Sequence, residues 1–331
     1  MKKPEASCQI LRQLIQYRQK ISAAKGAGTV FVCTLCPRMC GVPRQGDQPS
    51  AGFCHMPELP VLARAALHYG EEPCISGTRG SGTVFFSGCS LSCLFCQNRP
   101  ISQERFGQPV SIQRLADIFR ELEAQGAHNI NLVNPTHYAA AIREALTLYK
   151  PDVPVVYNSS GYERVETLRT LEGLVDVYLP DLKYVHNDLA QRLSRVPRYG
   201  DFAGLAILEM ARQTGPFRLD DDGLARKGTM VRHLALPGHT RESLAVLDWL
   251  ALHKDQVWVS LLFQYTPMGE TDAYPELQRP LTPRECRKVW DYMIQLGIVD
   301  GYVQQRTSSG QEFIPAFDLT GVCPSSETNA L

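Results

Sequence analysis

Eleven cysteines are spread over 331 residues, and eight of them fall between positions 33 and 96. Three stand as C-x3-C-x2-C in GCSLSCLFCQN, residues 88–98: Cys89, Cys93 and Cys96, with no fourth cysteine close by. A 4Fe-4S cluster normally takes four thiolates, so three would hold it with one iron left open for a substrate or cofactor. That is a catalytic and not a purely electron-carrying arrangement, because the open position is where chemistry happens. The competing readings are a structural zinc loop and buried free cysteines. Four more cysteines, Cys33, Cys36, Cys40 and Cys54, form C-x2-C-x3-C-x13-C and make a closed set. Tetrahedral zinc and an iron-sulfur cluster are both satisfied by four such thiolates, and spacing does not choose between them. Free buried cysteines are again the bland alternative. Cys8, Cys74, Cys286 and Cys323 have no assignment. Dense clusters at short spacing suit metal ligands in a reducing compartment, hence the cytoplasm, better than paired disulfides.

The three-cysteine run follows a β-rich segment, TVFFSG (83–88), which opens a series of strands and helices that must position it. Further β-rich runs are NINLVNP (129–135), VPVVYNSSG (153–161), VDVYLPDLK (175–183), MVRHLALPG (230–238) and QVWVSLLFQY (256–265). Helical patterns near 111–125, 138–149, 163–171, 199–213, 241–253 and 282–296 separate or follow them. This βαβ alternation predicts an α/β fold, a full or partial (β/α) barrel with a right-handed parallel sheet. The working loops of such a sheet follow the carboxyl ends of its strands, which read SGCSLSC, NPTHY, NSSGY, PDLKY, PGHTR and QYTPMG. Four units are expected: a leading amphipathic helix over 1–28, a small Cys-rich metal-binding subdomain over 29–80, the barrel over 81–322, and a polar tail over 323–331. Residues 29–80 carry many Cys, Gly and Pro with little periodicity, so a metal is expected to replace the core they lack.

Composition narrows the function. Lys plus Arg total 34 and Asp plus Glu total 34, which removes any global basic excess that would attract nucleic acid or an anionic membrane. The apolar fraction of 44% suits a globular protein, and no apolar run approaches the ~18 residues needed to cross a bilayer. The first twenty residues break their apolar positions with Gln, Arg and Lys, so no secretory signal is expected.

The three-cysteine loop after the first strand, with Phe95 just before the third cysteine, resembles the radical S-adenosylmethionine (SAM) superfamily. Within it the chain looks most like the glycyl-radical-enzyme activases, closest to the PflX-type pyruvate formate-lyase activating proteins, over nearly its whole length. The resemblance implies a 4Fe-4S cluster whose open iron binds SAM through its amino and carboxylate groups. One electron then cleaves the sulfur–C5′ bond, and a 5′-deoxyadenosyl radical abstracts a substrate hydrogen atom. It also implies a protein or peptide substrate, with a glycyl radical enzyme such as pyruvate formate-lyase as the specific expectation, and a flavodoxin- or ferredoxin-like electron donor. PDLK (180–183) resembles the activases' Asp-x-Lys, which marks Asp181 and Lys183 as SAM contacts; a surface ion pair is the alternative. RHLALPG (232–238) resembles their Arg-containing strand.

Three segments depart from the family's pattern. VNPTHY stands where a Gly-Gly-Glu loop receives the SAM amino group, which leaves Asn134, Thr136 or the carbonyls around Pro135 for that task. NSSG replaces Asp-Thr-Asn-Gly and puts Asn158 or Ser159 in the corresponding place, and FQYTP around Tyr265 replaces a His-containing last strand. His137 and His239 read as caps or surface groups. The CPRxC and GxC elements of the four-cysteine set resemble the amino-terminal region of the PflX-type proteins, in a structural or an electron-relaying role. Two other functions stay open: radical chemistry on another peptide, nucleotide or small molecule, and a zinc-ribbon interaction module on an inactive barrel.

Overall fold

A computed structural model describes residues 31–304 and 315–324. Its twelve strands in chain order are β1 (Phe31–Val32), β2 (Pro43–Arg44), β3 (Val61–His68), β4 (Ser81–Phe86), β5 (Gln108–Pro109) and β6 (Ile130–Val133). They continue with β7 (Val155–Ser159), β8 (Val177–Pro180), β9 (Arg218–Leu219), β10 (Ala225–Leu234), β11 (Trp258–Leu262) and β12 (Gly301–Gln304). The main sheet runs β12-β11-β10-β8-β7-β6-β4-β3-β5, with β9 paired to β10. From β4 to β12 every neighbouring pair on that path is parallel. The architecture is thus a mixed α/β fold around a parallel sheet, a partial (β/α) barrel. Every residue of β4, β6, β7 and β8 is buried, as a parallel sheet covered on both faces requires.

The expected helices form at Ile112–Ala124, Ala139–Leu148, Val165–Arg169, Tyr199–Thr214, Thr240–Ala251 and Pro283–Gln295. Their starts have local causes. Ser111 accepts a bond from the Arg114 backbone N–H. Thr282 and Glu285 cap each other reciprocally, and Pro283 takes the first turn, where its missing N–H costs nothing.

Several elements differ from the sequence expectation, and three of them have the most bearing on the sheet and the site. β3 lies inside the segment expected to be a separate subdomain, yet it pairs antiparallel with β4 and buries Val61, Leu62, Ala63 and Ala65. Residues 61–68 therefore share the barrel's sheet; in VLARAALH the alanines give little strand signal, and Arg64 interrupts the apolar run. β12 is a seventh parallel strand whose four residues are too few to announce themselves. A helix at Asn187–Ser194 falls between expected elements. The leading helix over 1–28 lies outside the described residues, and of the tail only 323 and 324 are described. Among the described residues no helix is long and apolar enough to cross a membrane.

Residues 31–59 form a lobe whose only strands are the two-residue β1 and β2. It is fastened to the barrel by Arg164, which donates to the Thr34 carbonyl at 2.6 Å, and by Thr167, which donates to that of Leu35 at 2.7 Å.

Candidate active site

The three-cysteine loop leaves β4 at the carboxyl end of the sheet. Gly88 turns the chain at φ +80°, where a side chain would stand 2.2 Å from Cγ of Met56. The loop is then pinned by its backbone. Ser92 N–H donates to Ser194 O (3.0 Å), Leu94 N–H to Leu193 O (2.9 Å), and Glu270 N–H back to Leu94 O (3.0 Å). Two of the thiols meet a donor from this chain, Leu91 N–H at 3.3 Å from Cys89 Sγ and Ser194 O–H at 3.0 Å from Cys93 Sγ, and Cys96 Sγ lies 3.2 Å from the Ser102 hydroxyl in a contact where either group can donate.

Burial, with the neighbouring Cys93 adding to it, pushes the Cys89 thiol well up. Burial also raises Cys93 to about 11, against the pull of the Lys183 ammonium. Such thiols stay protonated near neutrality unless a metal replaces their protons. Three cysteines lining one cavity, each with a hydrogen-bonding neighbour, are a donor set that fits an iron-sulfur cluster and its hydrogen-bonded surroundings.

A cavity of about 290 Å³ extends from these sulfurs across the strand ends. It collects Phe95, Asn134, Asn158, Ser159, Asp181 and Lys183 in one wall with Cys89, Cys93 and Cys96. Lys183 Nζ is 2.5 Å from Asp181 Oδ2, in a pair that is mostly shielded from solvent. Although burial works against its charge, Asp181 holds the Lys183 ammonium above its ordinary range. The Tyr199 hydroxyl accepts from the Lys183 N–H (3.1 Å) and lies 2.9 Å from the Asp181 carbonyl, fixing this strand end. Asn134 takes a left-handed φ of 60°, its side chain donates to the Gly88 carbonyl, and its N–H donates to Asn158 O at 2.8 Å.

Thr136 is not part of this wall. It is fully buried, and its hydroxyl donates to Glu163 Oε1 at 2.5 Å. Burial pushes the Glu163 carboxyl up to about 8. His137, expected to be a cap or surface group, is instead buried with its Nε2 at the Ser87 carbonyl, and His239 occupies the N-cap position of the Thr240–Ala251 helix without its side chain making a cap bond. Tyr265 packs edge-on against Phe95 behind the loop.

Two acidic residues escaped the sequence reading. Glu71 lines the cavity and accepts from Asn131 and Asn158, while Glu72 is buried and accepts from Ser260 at 2.7 Å. Arg232 of β10 binds both carboxylates. The signal available was Arg232 itself, because an arginine on a central strand needs a carboxylate partner.

The four-cysteine lobe sits against the same loop. Arg38, within CPRMC, donates to Ser90 O at 2.9 Å and to Arg195 O at 2.6 Å, and its guanidinium lies 3.6 Å above the Phe53 ring. A cleft of about 460 Å³ is lined by Cys54 and Cys89 together with Arg99, Arg105, Arg195, Glu104 and Glu270. Among the described residues no group of three or more His, Cys, Asp or Glu side chains is gathered at single-ion spacing, and the two cysteine sets are alike in this.

A family model described as the Radical SAM superfamily matches residues 83–250, just over half of the chain, and the chain belongs to that superfamily. An uncharacterized protein of Methanocaldococcus jannaschii, MJ0674, is 31% identical over 266 residues, 77% of this chain and 72% of its own length. Among solved structures, Streptococcus suis SuiB bound to its precursor peptide SuiA is 15% identical, with a TM-score of 0.45, over 66% of this chain and 47% of its own. Methylornithine synthase (PylB) is 11% identical, with a TM-score of 0.46, over 73% of this chain and 72% of its own. A domain of pyruvate-formate lyase-activating enzyme from Bacteroides vulgatus is 14% identical, with a TM-score of 0.33, over 59% of this chain and 91% of its own. This chain thus spans about half the length of the SuiB chain it matches. Superfamily membership implies a 4Fe-4S cluster and SAM as cofactors.

Proposed function

We propose that Cys89, Cys93 and Cys96 hold the cluster, that the cavity beside them receives SAM, and that the protein abstracts hydrogen from a protein or peptide substrate. The observation that carries this is that three hydrogen-bonded thiols and the Asp181–Lys183 pair line one cavity. When bound, cluster and SAM together supply one electron and a 5′-deoxyadenosyl radical that takes a hydrogen atom. The chain's own work is positioning and shielding. Lys183 and Asp181 form a fixed dipole for the methionine end or ribose of SAM. Asn134, Asn158 and Ser159 offer polar contacts along the wall, and Phe95 an apolar one. Thr136 has no part, because its hydroxyl is committed to Glu163.

The open cleft shares Cys89, Leu91 and Ser102 with the cavity, so a large substrate has a route to the radical. Its mixed Arg and Glu rim suits the alternating donors and acceptors of a peptide. Activation of a glycyl radical enzyme is the narrower reading, supported by the resemblance of PDLK and RHLALPG to the activases. A flavodoxin- or ferredoxin-like donor and a cytoplasmic setting complete the proposal. The test is anaerobic turnover with SAM, a reductant and glycine-containing peptides deuterated at the glycine α-carbon. Deuterium appearing in 5′-deoxyadenosine supports the peptide reading. Abundant 5′-deoxyadenosine that never carries deuterium, with any peptide or with pyruvate formate-lyase, overturns it.

A further inference from the structure

We infer that Cys33, Cys36, Cys40 and Cys54 hold a second, closed iron-sulfur cluster whose charge Arg38 and Arg44 balance and through which electrons enter the active site. The electron-entry part rests on the active-site reading above; the cluster itself does not.

Charge is the first argument. Arg44 is 3% exposed, and its guanidinium donates to the carbonyls of Pro57 (Nε, 3.0 Å) and His137 (Nη1, 2.5 Å), with Nη1 also 3.8 Å from Cys33 Sγ. Among the described residues no carboxylate pairs with it. Arg38 is likewise spent on two carbonyls and the Phe53 ring, without a carboxylate. A buried cation left uncompensated is strongly destabilising, so Arg44 calls for an anion beside it, and the half-buried Arg38 adds a second positive charge to the lobe. Four thiolates around a core of charge 2+ carry a net charge of two minus, which two arginines match. Neutral thiols do not.

Placement is the second argument, and it favours a redox centre over structural zinc. Arg38 reaches from the four-cysteine loop to the carbonyl of Ser90, the residue after Cys89. Phe53, beside Cys54, stacks on the same arginine, and its N–H lies 3.4 Å from Cys40 Sγ. Cys54 and Cys89 line one cleft. A metal needed only to staple the lobe has no reason to stand against the active-site loop. The electron accounting is simple. One electron leaves a reduced flavodoxin- or ferredoxin-like carrier, takes the second cluster from 2+ to 1+, and passes to the active-site cluster, which returns the second cluster to 2+. No bond forms or breaks, and no proton moves.

The test reconstitutes the full chain anaerobically with iron and sulfide in the presence of zinc. The Cys89→Ala/Cys93→Ala/Cys96→Ala variant is expected to keep about four irons and a reducible signal that ignores SAM. Stoichiometric zinc in that variant, or no metal at all, overturns the inference. Should it fail to fold, spin counting of the reduced wild type serves instead: two signals are expected, one of them indifferent to SAM, and a single signal overturns the second cluster. Arg44→Met is expected to move the potential of the SAM-indifferent signal downward and leave the other in place; no shift removes the charge-balance argument. Rapid freeze-quench with photoreduced flavodoxin is expected to show the SAM-indifferent signal first, and the reverse order ends the relay. Loss of the SAM-responsive signal alone would instead sink the active-site reading and leave the second cluster standing.

Discussion

Replacing Gly161 by alanine separates the cost of a backbone angle from the cost of moving the site. Gly161 sits at φ +75°, and an added methyl would stand 2.1 Å from the carbonyl oxygen of Asp181 and 3.2 Å from the Tyr199 hydroxyl. Gly126 has a similar φ of +85° with nothing within 4 Å, so it carries the angle cost alone. A left-handed alanine costs roughly 1–2 kcal/mol, which is the whole expected loss for Gly126→Ala. At Gly161 the methyl must also push the Asp181 backbone aside, adding roughly 1–3 kcal/mol of overpacking. Gly161→Ala is therefore expected to lose about 2–5 kcal/mol by urea unfolding. Because the displaced residue bears the Lys183 partner, SAM affinity measured by calorimetry on the reconstituted protein should also fall about tenfold, or ~1.4 kcal/mol. Gly126→Ala should bind SAM as the wild type does. If the two variants match in stability and in affinity, the assignment of the Asp181 strand end to SAM positioning is wrong.

Other perturbations follow from the same geometry. Glu163 keeps its proton up to about pH 8 in the folded chain but loses it at ordinary carboxylate pH when unfolded. Between those values the unfolded state binds fewer protons, so stability falls as pH rises, by at most about 1.4 kcal/mol per pH unit. Glu163→Gln should flatten this slope in urea titrations at about pH 5.5 and about pH 7.5; an unchanged slope would show that Glu163 is ionised when folded. Arg232→Met leaves Glu71 and Glu72 without their cation and should cost about 3–5 kcal/mol, with part recovered by adding Glu72→Gln. Ser194→Ala removes the hydroxyl aimed at Cys93 and should lower the potential of the SAM-responsive cluster in a redox titration.

Local chemistry made much of the fold legible. Apolar runs locate six of the parallel strands from the sequence, while the capping roles of Ser111 and Thr282 show themselves in the structure. β3 was not legible because its pairing with β4 is a tertiary choice that VLARAALH does not announce. The same hairpin hides Glu71 and Glu72, which reach Arg232 across some 160 residues of chain. Thr136 shows the opposite failure: strand-end position suggested a cavity residue, but the 3-10 turn at Thr136–Tyr138 directs its hydroxyl to Glu163. The cysteine pattern was readable because spacing is a local property; Arg38 and Arg44 were not singled out, because their want of a carboxylate among the described residues is visible only in the fold.

The most direct measurement is the electron paramagnetic resonance spectrum of the anaerobically reconstituted, reduced protein with and without SAM. A cluster held by Cys89, Cys93 and Cys96 has an iron open to SAM, so one signal should shift when SAM is added and vanish in the Cys89→Ala/Cys93→Ala/Cys96→Ala variant. A reduced cluster whose spectrum ignores SAM, or a SAM response that survives loss of those three cysteines, would contradict the account.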